Sequence, residues 1–186
     1  MSVTKVQPVH EDGNPKRKRD HEQQMQQNAQ VALVRILIDG YSLLHQWTDL
    51  APGASRFSAT ARDALIRKLT AYRDATHVPI TVFFDGSGAP PGTPKPPRNP
   101  DVEVLFSKAG QTADEMIERV AFRMRPFGEV LVVTDDIAER DTVMNFGGLA
   151  CSCFTFIQQA ESAVGEMATD LKDYNRRERE RFRRRG

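Results

Sequence analysis

Short apolar runs alternate with amphipathic stretches through most of this chain. Runs rich in β-branched and aromatic side chains occupy residues 33–38, 80–84, 102–106 and 130–134, with a short one at 149–153. Runs of this length and composition predict buried strands. Because the runs alternate with stretches of helical periodicity, the pattern favours a three-layer α/β/α domain with a mainly parallel central sheet.

The stretches between the runs predict helices over residues 59–75, 113–125 and 138–146, and a long last helix from about Thr155. Thr112 and Glu115 fit a capping box at the start of the second of these helices. In the last helix the apolar stripe that we expect to be buried comprises Phe156 or Ile157, Ala160, Val164, Met167, Leu171 and Tyr174.

Three segments lie outside this pattern. Residues 1–30 are polar and Gln-rich, which predicts a disordered tail before a domain over residues 31–175. Residues 86–100 hold six of the eleven prolines and predict a stiff, extended loop. Residues 176–186 form an arginine-rich tail that extends the last helix or frays from it.

Charge is distributed unevenly along the chain. The net charge is +1, yet residues 174–186 carry seven arginines and two glutamates. The domain before them is therefore acidic, and the basic end suits a polyanion such as RNA, although basic ends also serve only as solubilising tails.

The two cysteines and the hydropathy exclude several classes of protein. Cys151 and Cys153 lie two apart on a predicted strand, where neither a relaxed disulfide nor a zinc site is expected, so both should be reduced thiols. No apolar stretch approaches a membrane span, and the N-terminus lacks the apolar core of a signal peptide. We therefore expect a cytoplasmic protein with no membrane partner.

Aspartates end three of the apolar runs. Asp39 follows the first, Asp85 the second, and Asp135 and Asp136 the fourth, while Asp114 opens the helix after the third. Each alone could be only a helix cap. Together they should gather at one edge of a parallel sheet, where carboxylates repel one another unless Mg²⁺ or Mn²⁺ lies among them. This pattern indicates metal-dependent chemistry on phosphate.

The same residues resemble a known family, the YacP-type NYN (PIN-like) endoribonucleases. The resemblance implies a PIN-like fold, a divalent metal and endonucleolytic cleavage of single-stranded RNA, with mRNA on the ribosome as one such substrate. It rests on Ile38-Asp-Gly-Tyr-Ser42, Phe84-Asp-Gly86, Val104-Leu-Phe-Ser107, Thr112-Ala-Asp-Glu115 and Val133-Thr-Asp-Asp136.

The resemblance implies roles for individual residues. Its catalytic positions fall on Asp39, Asp85, Asp114 and Asp136. Its metal ligands fall on Asp39, Asp114 and Asp136, with the adjacent Asp135 as the alternative to Asp136. Asp135 stands where the family has serine, and Ser42 stands where it usually has asparagine.

Substrate contacts are expected around these acids and at the basic end. The candidates are Tyr41, Ser42, Lys95, Arg98, Arg176 and Arg177. Tyr41 could stack on a base, and the cationic side chains could contact phosphates. None of the four histidines lies in the motifs, which disfavours a metal-free ribonuclease driven by histidine.

Two other readings stay open at this stage. The domain could be an RNA- or ribosome-binding module of the same fold with weak or no turnover, for which Ser42 is the best argument. A phosphatase or receiver-like switch is the second reading. Asp39-Gly-Tyr lacks the D-x-D of one phosphatase class, and the acidic pair of a receiver is not evident after the first run.

Overall fold

The strands and helices of the domain follow the apolar pattern closely. A computed structural model describes residues 33–86, 101–108 and 110–183. Its strands are β1 (Leu33–Asp39), β2 (Ile80–Phe84), β3 (Val102–Phe106), β4 (Glu129–Val133) and β5 (Leu149–Cys151). Its α-helices are α1 (Gly40–Gln46), α2 (Ala59–Thr76), α3 (Ala113–Met124), α4 (Ile137–Asn145) and α5 (Cys153–Arg183).

The five strands form one sheet in the order β3-β2-β1-β4-β5, and every neighbouring pair is parallel. The expected α/β fold with a mainly parallel sheet is therefore confirmed. From β1 the chain adds β2 and β3 on one side, and it then crosses back to add β4 and β5 on the other. The order thus reverses between β1 and β4, and ligands of open α/β sheets bind at such a point.

Helices cover both faces of the sheet and bury two separate cores. Under α1, α2 and α5 the core includes Ile36, Ile38, Leu65, Phe84 and Phe156. Under α3 and α4 it includes Leu37, Phe83, Ile117, Val132 and Val143. Successive residues of β1 and β2 enter opposite cores, which explains why these strands are continuous apolar runs rather than alternating ones.

Several element boundaries differ from the sequence prediction. The predicted strand over 149–153 ends at Cys151, and Cys153 is the first residue of α5. The two cysteines therefore do not share a strand; both are free thiols, and burial raises the pKa of each. The short helix α1 was not predicted, because seven residues carry too little periodicity to be recognised.

The long stripe of α5 is buried only in its first half. Phe156 and Ala160 are buried, and Val164 packs partly against the same core. The expected burial of Leu171 and Tyr174 is wrong, since they are 54% and 62% exposed. Among the described residues, no other element covers this face of α5 beyond Val164.

Two predicted segments cannot be compared with the structure. The tail over residues 1–30 and the loop residues 87–100 lie outside the described residues. Among the helices that are described, none combines the length and apolar character needed to cross a membrane.

Close packing at the start of α1 generates a stability prediction. A Cβ on Gly40 would lie 2.7 and 2.8 Å from ring atoms of Phe84, which is fully buried. We expect Gly40→Ala to lower the free energy of unfolding by roughly 1–3 kcal/mol, as overpacked cores do. Gly165→Ala, in α5 with no atom near the added methyl, should instead raise it by about 0.5–1 kcal/mol. Urea unfolding of both variants measures the difference; equal effects would contradict the packing argument.

Candidate active site

Acidic side chains from four segments meet at the carboxyl edge of the sheet. Asp39 is the last residue of β1, Asp85 follows β2, Asp136 follows β4, and Asp114 lies in the first turn of α3. An open cleft of about 750 Å³ at this edge is lined by Asp39, Asp85 and Asp114 together with neighbouring residues. The topology thus brings these predicted acids to the reversal point of the sheet.

Asp39 is held by the backbone of the helix that it caps. Its Oδ1 accepts hydrogen bonds from the N–H groups of Tyr41 at 3.0 Å and Ser42 at 3.2 Å. These bonds use one carboxylate oxygen and fix the rotamer. The second oxygen has no such bond from α1 and is available to other ligands.

Asp85 is oriented by a buried serine. The Oγ of Ser107, which directly follows β3, lies 2.8 Å from Asp85 Oδ1 and also accepts the N–H of Gly86 at 3.0 Å. Ser107 is only 2% exposed, and its hydroxyl can donate to Asp85 Oδ1 or to the Gly86 carbonyl at 3.1 Å, whereas Asp85 itself is exposed to the cleft. Ser107 is therefore a positioning residue for this carboxylate.

The adjacent acids after β4 bind different helices. Asp135 accepts the N–H of Cys153 at 2.9 Å and so anchors the start of α5. Asp136 caps α4, because its Oδ1 accepts the N–H groups of Ala138 at 2.7 Å and Glu139 at 3.1 Å. Both aspartates are exposed, and in both the Oδ2 atom takes no part in these hydrogen bonds.

Glu139 is an acid of this edge that the sequence did not reveal. Asp136 and Glu139 have the spacing of a capping box, as Thr112 and Glu115 do. In the second pair the box forms, since Thr112 N–H donates to exposed Glu115. In the first pair the hydroxyl of Thr134 accepts the Asp136 N–H instead. Glu139 is thereby released from capping.

The released carboxylate is buried without a well-formed partner. Glu139 is 3% exposed, and neither of its oxygens accepts a hydrogen bond from the described part of the chain. Burial raises its pKa to about 8; the Thr134 hydroxyl partly opposes this, and the charges of Asp114, Asp39 and Asp136 add to it. A buried carboxylate with so little hydrogen bonding fits the role of a cation ligand.

Three of the acids are close enough to share one ion. One oxygen each from Asp39, Asp114 and Glu139 lie within 4.8 Å of one another. The pKa of Asp114 is raised by burial and then by the charges of Asp39, Asp136, Asp85 and Glu118, in that order. Clustered hard oxygen donors of one sign are the ligands that Mg²⁺ and Mn²⁺ take, so the residues fit a divalent cation.

Aromatic and polar side chains form the walls of the cleft. Tyr41 packs between the rings of Phe57, at 5.0 Å, and buried Phe84, at 5.1 Å. Phe57 lines the cleft and is 70% exposed. Ser42, Lys108 and Gln111 complete the wall on the described residues. Phe57 and Lys108 were not singled out from the sequence, since a lone exposed ring or lysine in a loop carries no local signal.

Two further predicted substrate contacts, Arg176 and Arg177, do not line the cleft. Arg176 and Arg177 lie on α5, more than twenty residues beyond Cys153 at the active edge. Arg176 forms an ion pair with Asp173 at 3.1 Å. Lys95 and Arg98 lie outside the described residues, so their expected contact stays a prediction.

Comparison with known proteins gives one consistent family. A sequence model of the YacP-like NYN domain matches residues 36–185. The uncharacterized protein YacP of Bacillus subtilis (strain 168) is 31% identical over 128 residues, which are 68% of this chain and 75% of that protein.

Solved structures agree with the sequence match. Two crystal structures of Rae1 (YacP) from Bacillus subtilis, one of them of a mutant protein, superpose with a TM-score of 0.62 at 27% identity. The mutant structure covers 76% of this chain and the other covers 77%, and in each case 82% of the solved chain is covered. The similarity therefore spans the sheet and its flanking helices.

The buried Glu139 predicts how stability depends on pH without metal. Its pKa of about 8 in the fold lies above its ordinary value of 4.5, so folding takes up a proton between these values. The contribution of Glu139 to the free energy of unfolding should be fully present below about pH 4.5 and should be lost as pH rises through 8. Glu139→Gln stays neutral and should flatten this fall, being more stable than wild type at about pH 8–9.

Thermal unfolding in EDTA from about pH 5 to 9 measures this effect. Glu115→Gln is the matched control, because its carboxyl is exposed and glutamine preserves the capping box. Added Mn²⁺ should stabilise wild type most at the alkaline end, where Glu139 is ionised in the fold. Parallel pH curves for wild type and Glu139→Gln would contradict the assignment of a raised pKa to this residue.

Proposed function

The chain belongs to the YacP-like NYN domain family, which is nuclease-like, and we propose that it is a divalent-metal-dependent endoribonuclease that cleaves single-stranded RNA. The observation that carries the proposal is the group formed by Asp39, Asp114 and Glu139, whose oxygens lie within 4.8 Å of one another. Glu139 is buried, and neither of its oxygens has a well-formed hydrogen bond among the described residues, so a cation would satisfy it.

In this proposal Asp39, Asp114 and Glu139 hold the ion, Mg²⁺ or Mn²⁺. The charge of Asp136 lies near enough to raise the pKa of both Asp114 and Glu139, so this acid is proposed to support the ion beside the three ligands. When bound, the ion supplies positive charge that offsets the charge building on the scissile phosphate and favours loss of a proton from the attacking water.

The chain's own residues do the positioning. Ser107 holds Asp85 with one oxygen directed away from it, so Asp85 can orient the attacking water and accept a proton from it. The helix caps on Asp39 and Asp136 fix the remaining carboxylates before substrate arrives. This preorganisation removes a cost that flexible carboxylates would add to the transition state.

The cleft walls suit a single strand with unstacked bases. Phe57 presents an exposed ring beside Tyr41, and an aromatic platform of this kind stacks on RNA bases. Lys108 offers a cation for a phosphate next to the acids. Lys95 and Arg98, in the loop after Asp85, are proposed to extend this contact. We take the RNA to be mRNA, including mRNA on the ribosome, within the cytoplasm.

A second candidate function is an RNA-binding module of this fold with weak turnover. Ser42 favours it, because the family usually has asparagine there and a hydroxyl offers fewer hydrogen bonds than an amide. Ser42 lines the cleft beside Asp39, so the change falls where water or substrate would be held. The complete set of acids, with a buried ligand that the module would not need, supports the enzyme.

Cleavage of labelled single-stranded RNA during titration with Mn²⁺ tests the proposal. Asp39→Asn and Asp114→Asn should each lower cleavage at least about a hundredfold, because each removes a ligand charge. Asp141→Asn, an exposed acid of α4 outside the cluster, should cleave like wild type. Thermal stability of Asp39→Asn and Asp114→Asn without metal should hold or rise, since repulsion is relieved. Unchanged cleavage by purified Asp114→Asn would overturn the site, and binding without cleavage by wild type would favour the module.

The neighbouring acids after β4 should separate by measurement. We expect Asp136→Asn to weaken Mn²⁺ binding in calorimetry, because its carboxylate faces Asp114 and Glu139. Asp135→Asn should leave Mn²⁺ affinity within about twofold but lower thermal stability, because a neutral amide is a weaker acceptor than a carboxylate for the Cys153 N–H at the start of α5. Loss of affinity confined to Asp135→Asn would show that the wrong acid of the pair has been assigned to the metal.

A further inference from the structure

In the described part of the chain, only the first half of the last helix, α5, packs against the rest of the domain. α5 has 31 residues, which at a rise of 1.5 Å per residue gives a rod about 46 Å long. Its first residue, Cys153, is bonded to Asp135 at the active edge. Among the residues that the structure describes, packing against this core stops at Val164, so the second half of the helix has no part in it.

The projecting half carries most of the positive charge. Residues 172–183 contain six basic and three acidic side chains. Asp173 pairs with Arg176, and Glu178 pairs with Arg181 at 2.7 Å. Within the part of the chain that the structure describes, no carboxylate forms an ion pair with Lys172, Arg177, Arg179 or Arg183.

The basic side chains lie in a row rather than around the helix. Lys172, Arg176, Arg179 and Arg183 are spaced by four, three and four residues, which places them on one face. A neighbouring face carries Leu171, Tyr174 and Phe182, which are 54%, 62% and 74% exposed. A row of cations beside exposed aromatic rings is a surface for phosphates and bases.

This face is too far from the acids to act on the same nucleotides. Lys172 and Arg183 lie about 29 and 45 Å along the axis from Cys153. An arginine side chain cannot span that separation. At about 3.4 Å per stacked nucleotide, a strand leaving the cleft would need roughly ten nucleotides or more to reach the row.

We infer that the Lys172–Arg183 face of α5 is a second RNA-binding site that holds phosphates at a distance from the bond being cleaved. The inference rests on the proposed function for its substrate class, but it concerns binding and not the reaction. Charge complementarity selects the occupant. Three of the four cations in the row, Lys172, Arg179 and Arg183, have no ion pair among the described residues, and RNA is the polyanion that the proposed function supplies. For RNA held in the cleft, the site would add affinity only when the RNA is long enough to reach the row.

RNA binding in Mn²⁺, with phosphorothioate probes that resist hydrolysis, separates this site from the cleft, because cleavage is not needed for the readout and the cation offsets the repulsion of the acids. The probes are single-stranded RNAs of about 6 and about 25 nucleotides, the shorter being too short to reach the row at the spacing given above. Arg179→Glu/Arg183→Glu removes two unpaired cations of the row. Arg67→Glu/Arg123→Glu is the matched control, since it reverses two exposed arginines on α2 and α3 and gives the same net charge.

We expect Arg179→Glu/Arg183→Glu to bind the long RNA about tenfold more weakly at low salt, with a shallower salt dependence, and the short RNA within about twofold of wild type. The control should bind both like wild type. An equal loss for both lengths, or for both variants, would overturn a distant site. An unchanged affinity for long RNA would overturn it as well.

Self-association is the remaining competitor for the apolar side of this face, and sedimentation tests it. Leu171→Ser/Phe182→Ser should leave the mass of the protein unchanged. A dimer of wild type that this variant dissociates, with RNA binding unaffected, would make the face a contact between two copies. If wild-type protein binds long RNA through α5 but cleaves none, the proposed function fails while this inference stands.

Discussion

Repulsion between carboxylates at the reversal point of the sheet is the constraint around which the local structure is built. Asp39 and Asp136 sit at the ends of neighbouring strands, and Asp114 is brought over them by α3. Each of the two strand-end acids gives one oxygen to backbone N–H groups of the helix that it starts. The helix N-termini therefore supply partial positive charge where the carboxylates are densest.

This partial charge does not reach Glu139. The residue lies in the first turn of α4, but its side chain turns inward and gains no N–H donor among the described residues. Desolvation then dominates, which is why the pKa of Glu139 rises to about 8. The pKa of Asp114 is raised by the same first cause. Backbone N–H groups therefore offset the negative charge of Asp39 and Asp136, which cap helices, whereas no such group among the described residues offsets that of Glu139. A cation is the simplest completion of that arrangement.

Much of this could be predicted from the sequence because the signals are local. Apolar runs define the strands, and an aspartate after a run is a cap wherever the fold puts it, so Asp39, Asp85 and Asp136 could be found without coordinates. Glu139 could not, because its spacing from Asp136 is that of an ordinary capping box. What distinguishes it is the hydroxyl of Thr134, which takes the N–H that the box would need. That competition is visible only in three dimensions.

Periodicity fails in a different way along α5. Its apolar residues recur at the same spacing before and after Val164, so the sequence predicts one continuous buried stripe. Burial depends on a partner, and the domain supplies one only as far as the sheet and α2 extend. α1 shows the converse: seven residues are too few to be stable alone, and Leu43 and Leu44 hold the helix by packing into the core.

A second RNA-binding site on the second half of α5 would raise the affinity with which the cleft captures RNA. The cleft is open and its acids repel phosphate, so on its own it holds a single strand weakly whenever the cation is absent. A second site on the same rigid helix makes capture by the cleft an intramolecular step, with an effective concentration set by the RNA between the two sites. Because that gain needs an RNA long enough to span the rod, length itself becomes a criterion of selection. On the proposed function, the acids would decide only where the strand is cut, and the arginine row would decide which RNA molecules stay bound long enough to be cut.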